Sequence, residues 1–239
     1  MTTLDKCKDV ALQLFDAIPI EPHQSEFGSI LLEPHVFVEN KFYLYQGNIV
    51  DITKDKAAKT DCINRYKSMI RDAKSVDDIY FLVRNPYKMT FLKYIKPYID
   101  NTTFSELLHE TWIEVENGNK DINVEKTEII EWFKTADKTA LMRREDYVYY
   151  KKLPQTVTIY RGVSERGTYD GLSWTVSKDK AEWFQYRFMD DTNRTNAVTH
   201  LLTAIIDKHD ILAYFNDRDE KEVVVDIDAI RDKIKEIKD

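Results

Sequence analysis

An α+β fold is predicted for this chain of 239 residues. Three observations predict it. Segments with a helical spacing of apolar residues fill the stretch from about 76 to 150. The texture changes at Pro154, after which short β-branched runs alternate with turns. Three of the six glycines, Gly162, Gly167 and Gly171, fall among those runs. The expected organisation is a mostly helical region over about 1–100, with a small β-hairpin, and then a region over 101–239 whose helices precede its strands. The length suits one large domain or two small ones.

The elements follow in order. Residues 4–17 read as a helix, with Val10, Leu12, Leu14 and Phe15 as its apolar positions. Residues 30–53 read as strands: Val36 to Tyr45 mixes aromatic and β-branched residues, and Gln46-Gly47-Asn48 is a turn. Lys54 to Lys74 mixes lysines with acids, as a solvated helix face does. Ser75-Val76-Asp77-Asp78 is an N-cap entry to a helix near 76–84. In Tyr87 to Tyr98, residues Met89, Phe91, Leu92 and Ile95 are close to helical spacing. Thr103 with Glu106 three residues on predicts a capping box at the head of a helix ending near Val115. Glu125 to Thr135 and Asp137 to Tyr150 complete the helical middle.

After Pro154, Thr156 to Tyr160 and Leu172 to Val176 read as strands. Ser177 caps a helix whose core face is Ala181, Phe184 and Phe188. Thr199 to Ile206 is apolar and β-rich, and Ile211 to Phe215 precedes one more strand. Asp228 to Lys238 reads as an amphipathic helix with Ile230, Ile234 and Ile237 on one face.

Composition narrows the function. Hydrophobic residues are 43% and charged residues 32%, enough for a packed core. The net charge of −7 argues against a general nucleic-acid binder. Cys7 and Cys62 are far apart and form no metal-binding spacing, so reduced thiols are expected. Met1 to Ile20 has no signal-peptide core, and no stretch nears the ~18 apolar residues of a membrane span. A cytoplasmic protein with no membrane partner is expected, with export lacking such a signal left open. The five histidines show no close ligand pairing, and Asp190-Asp191 reads as a solvated loop, so no metal is expected. Gly-x-Ser-x-Gly and the glycine-rich phosphate loops are missing from the sequence.

Chemistry concentrates in four segments. Glu220-Lys221-Glu222 leads into Val223-Val224-Val225, and in a strand residues i and i+2 share a face, which would set two carboxylates side by side. A carboxylate fixed beside a sugar that develops positive charge stabilises the transition state more than the ground state. A second carboxylate can orient or deprotonate an acceptor. Tyr160-Arg161-Gly162 ends a strand with a guanidinium suited to bidentate recognition of a diphosphate. Glycine at 162 would let the backbone approach that ligand. Ser173-Trp174-Thr175 puts two hydroxyls on one strand face, and Tyr214-Phe215 is expected in the loop immediately before the glutamates. Taken singly, each reads as ordinary strand surface or core.

In their order, all within Arg161 to Glu222, the segments resemble the mono-ADP-ribosyltransferases that split NAD, in the branch built on Arg, Ser and Glu and carried by bacteria and phages. The resemblance spans about residues 135–227. It implies a core of two packed sheets around an NAD cleft. It implies Glu222 as the catalytic carboxylate, Ser173 as its hydrogen-bonding brace and Glu220 as the group that selects and activates the acceptor, typically an arginine. Arg161, with Tyr160, Gly162 and Thr175, would hold NAD, and Tyr214 and Phe215 would recognise the acceptor. Only 11 residues separate Arg161 from Ser173, a shorter segment than in many secreted toxins of this type. The reaction implied is transfer of ADP-ribose from NAD to a protein, with release of nicotinamide and no metal. Two alternatives stand beside it: NAD hydrolysis, and a non-catalytic NAD-fold interaction protein working through its N-terminal helices.

Overall fold

The computed structural model describes residues 3–24, 30–32, 35–115, 121–164, 167–187, 189 and 198–238. Phe188 and the Asp190-Asp191 pair lie outside the described residues. The chain divides into two compact units, Met1–Val124 and Glu125–Asp239.

The first unit is mostly helical: α1 (Thr3–Ala17), the hairpin β1 (Pro22–Gln24) and β2 (Ile30–Leu32), the hairpin β3 (Phe42–Tyr45) and β4 (Asn48–Asp51), then α2 (Lys56–Asp72), α3 (Val76–Tyr80), α4 (Lys88–Ile95) and α5 (Asn101–Glu114). The hairpin turn falls where the sequence placed it. Gln46 (φ 49°) and Gly47 (φ 80°) are both left-handed, as a two-residue hairpin loop requires. Asp55 caps α2, and Ser75 with Asp78 forms the reciprocal capping box of α3.

Three expectations are corrected here. Residues 36–38 are buried but not a strand: the His35 ring accepts from the Phe37 and Val38 amides, both at 3.1 Å, and so turns the chain. The cap of α5 is Asp100, which accepts from Thr103 N at 2.9 Å, one turn before the box expected at Thr103. The division falls after Val124, so α5, expected to open the second region at 101, belongs to the first unit. The reason is packing: α5 lies against α4, and its Phe104, Leu107 and Leu108 are buried.

The second unit is mixed. It contains α6 (Lys126–Thr135), α7 (Lys138–Leu141), α8 (Arg144–Lys152), β5 (Thr156–Val163), β6 (Ser173–Thr175), α9 (Lys178–Tyr186), β7 (His200–Asp207), β8 (Ile211–Phe215), β9 (Glu222–Val225), α10 (Ile227–Ile230) and β10 (Lys235–Ile237). Six strands form one antiparallel sheet in the order β10-β7-β5-β6-β9-β8. Among the described residues this single sheet stands where two packed sheets were expected. It is nonetheless divided. β5 and β7 pair over eight residues, whereas β5 and β6 meet only at Tyr160↔Thr175. The halves β10-β7-β5 and β6-β9-β8 therefore share a seam one residue pair wide.

The expected C-terminal helix is also corrected. Its α-helical part ends at Ile230, a 3-10 turn runs on over Arg231–Lys233, and Lys235–Ile237 pairs with β7 as an edge strand. Backbone groups along β7 need a partner, and this segment supplies it.

Candidate active site

The Arg, Ser and Glu segments occupy β5, β6 and β9, three neighbours in the sheet. Cross-strand register runs Phe215↔Glu222, Thr175↔Glu222 and Tyr160↔Thr175, so these four residues form one row over four strands. Ser173 lies diagonally from Glu222 on the same face, because Ser173 pairs with Val224.

Glu222 is 5% exposed and opens β9, whose three valines are fully buried. Burial of that run sets where the carboxylate begins. Arg161 is half-buried. Its guanidinium donates to Ser173 O across the seam, and its Nε and Nη2 reach Thr168 O, each at 3.4 Å. Burial lowers its pKa, while the Glu222 and Asp170 carboxylates pull the other way. Gly171 makes room for this head: a Cβ there would lie 2.9 Å from Nη1 and closer still to Cζ and Nη2. That dependence was invisible in the sequence, where Gly171 was only a turn residue.

Other predicted residues fall differently. A Cβ at Gly162 would collide with Ala181 O and lie 2.6 Å from Gln185 N, so this glycine admits α9 rather than a ligand. Thr175 is 3% exposed; its hydroxyl donates to Glu220 O at 2.8 Å and accepts from Ser177 N at 3.1 Å. It fastens the glutamate turn to the head of α9, which Ser177 caps as expected. Tyr160 is half-buried at the seam. Tyr214 and Phe215 are not in a loop but in β8, and both are buried. Tyr214 stacks on Tyr149 at 4.4 Å, and Phe215 meets Phe133 at 6.3 Å. They are core residues, because Ile211–Phe215 is covered on both faces.

Glu220 and Glu222 do not share a regular strand. β9 starts at Glu222, and Asp219 (φ 55°) and Lys221 (φ 48°) are left-handed on either side of Glu220. Such a conformation is uncommon outside glycine and collects at functional sites. The turn is pinned by Asp219 N to Asn216 O at 3.0 Å and Lys221 N to Asn216 Oδ1 at 3.1 Å. Glu220 pairs with Arg218 at 3.0 Å. Both left-handed residues were missed, since neither is glycine.

No family, curated protein or solved structure matched the chain.

Two other features stand apart from this row of residues. Asp207, His209 and Asp210 bring ligand atoms together, but Lys233 pairs with both carboxylates, at 3.7 and 2.9 Å, and supplies the positive charge. The first unit has its own open cleft of about 840 Å³, with Phe42, Leu44, Arg65 and Phe81 among its walls. Among the described residues, no helix is long and apolar enough to cross a membrane.

Proposed function

We propose that the second unit is a mono-ADP-ribosyltransferase, which breaks the bond between nicotinamide and ribose in NAD and transfers ADP-ribose to a protein arginine. One observation carries the reading. The three segments that resemble this family, separated by up to 61 positions from Arg161 to Glu222, fold onto three adjacent strands with Arg161 in electrostatic reach of Glu222. A buried carboxylate in electrostatic reach of a guanidinium that can hold phosphate suits a reaction with an oxocarbenium-like transition state.

In this reading Arg161 holds the diphosphate, and Glu222 stabilises the sugar as its bond to nicotinamide breaks. Ser173 braces the carboxylate from the diagonal position. Glu220, on its strained turn, faces the acceptor. The turn also favours a second reading: Glu220 is already engaged by Arg218, which leaves water as the easier acceptor and NAD hydrolysis as the outcome.

The test is nicotinamide release from NAD by the full chain. Glu222→Gln should lower it by at least about 100-fold, the scale of losing one transition-state-stabilising group. A folded Glu222→Gln protein with wild-type release rejects the assignment. Labelled protein alongside the released nicotinamide separates transfer from hydrolysis.

A further inference from the structure

Beside Glu220 lies a cleft of about 380 Å³, walled by Asp179, Lys180 and Trp183 of α9 and by Arg218 and Glu220 of the turn. Its chemistry is specific. Trp183 is 52% exposed, so part of its indole is open to a ligand in this cleft. Arg187 already lies 5.5 Å from the ring centroid, so this ring accepts a guanidinium nearby. Asp179 and Glu220 supply two carboxylates. The one ammonium in the cleft, Lys180, is paired with Asp219 at 3.0 Å. An exposed aromatic ring together with carboxylates is the usual recognition set for a planar cation.

The cleft also holds such a cation now. Arg218 Nη2 lies 3.0 Å from Glu220 Oε2, and the arginine side chain is 40% exposed. The Glu220 side chain is 14% exposed, so its carboxylate keeps a cationic partner; an incoming guanidinium can take the place of Arg218 because it offers the same charge and the same donors.

We propose that Trp183 is the ring against which the acceptor's guanidinium lies, and that Arg218 occupies Glu220 until the acceptor displaces it. The proposal rests on the transfer reading. The step balances within it. The C1′–N bond of NAD breaks and its electron pair goes to the nicotinamide nitrogen, which becomes neutral. A guanidinium nitrogen forms the new bond to C1′, and its proton passes to Glu220 and then to water.

The experiment uses the full chain, saturating NAD and N-acetyl-arginine amide as acceptor, with the ADP-ribosylated amide quantified by mass. Trp183→Ala should raise the acceptor KM about tenfold, and Trp183→Phe, which keeps a ring, should recover most of it. Arg218→Ala should move the same constant the opposite way, down by about threefold or more, because the placeholder is gone. A merely structural role at either position would not give opposite signs. An unchanged KM in Trp183→Ala, or a raised one in Arg218→Ala, overturns the proposal. The wild-type protein supplies the remaining arm: nicotinamide release with no modified amide discards this subsite but keeps NAD cleavage, whereas no release discards the NAD reading itself.

Discussion

The two halves of the six-stranded sheet are held by different forces. In β10-β7-β5 the eight-residue ladder between Thr156–Val163 and His200–Asp207 supplies long backbone pairing, and α9 presses close enough to need glycine at 162. In β6-β9-β8 the strands are three to five residues long, and burial does the holding: every side chain of β8 and β9 is buried. The proposed site draws Arg161 from the first half and Glu222 from the second. The lesson is that one residue of the proposed site is located by hydrogen-bonded register and the other by the apolar run behind it. Perturbations should therefore separate the halves.

The largest effect should come from Gly162→Ala. The new methyl meets backbone of α9, Ala181 O and Gln185 N, which cannot swing aside as a side chain would. A loss of about 3 kcal/mol in urea unfolding is expected, the upper range for overpacking. A variant of wild-type stability would mean that the first half is not wedged by its helix.

Arg161→Ala comes next and strikes the seam. It removes the charged donor that reaches Ser173 O and Thr168 O, so both NAD affinity and stability should fall, each by about 1.5–3 kcal/mol. Calorimetric NAD titration and urea unfolding on one protein sample give both numbers. Weaker binding with unchanged stability would show that the guanidinium serves the ligand alone.

Glu220→Gln tests the second half at the acceptor step. Transfer to a protein arginine should fall about tenfold, or 1.4 kcal/mol, while nicotinamide release falls less. An equal loss in both rates would assign Glu220 to the splitting of NAD.

The smallest effect is a pH slope. Lys138 is held in the second half by Phe133 O and Leu212 O, and burial lowers its pKa from 10.5 to about 8. Between those values the unfolded chain binds more proton than the folded one, so stability should rise from about pH 8 to 10.5. Lys138→Met should flatten that rise by up to one proton equivalent in pH-dependent urea unfolding. If the slope persists, the titrating group lies elsewhere.

What was legible in the sequence was local. The Ser75 and Ser177 caps, the Gln46-Gly47 turn and the strand at Thr156 are written in neighbouring residues, and each appears where its chemistry put it. The Arg, Ser and Glu segments could be found, and so could the strands that carry three of their residues. The remainder depended on partners far along the chain. Lys235–Ile237 has helical spacing with Ile230, but the open edge of β7 claims it as a strand. Tyr214 and Phe215 looked like loop aromatics until β8 was seen to be covered on both faces. The Glu-x-Glu spacing suggested a shared face, yet left-handed Asp219 and Lys221 break the strand before Glu222. Gly171 gained its meaning only from the distant side chain of Arg161.

The seam at Tyr160↔Thr175 gives the unit an internal boundary of cooperativity. Amide protons of the β5–β7 ladder and those of β9 should exchange as two groups with separate opening free energies, not as one sheet. Arg161 is the side chain that crosses from one group to the other. A phosphate ligand that drew this guanidinium away from Ser173 O would loosen a staple as it bound, so that in the proposed reading occupancy and opening of the sheet are two readings of one equilibrium.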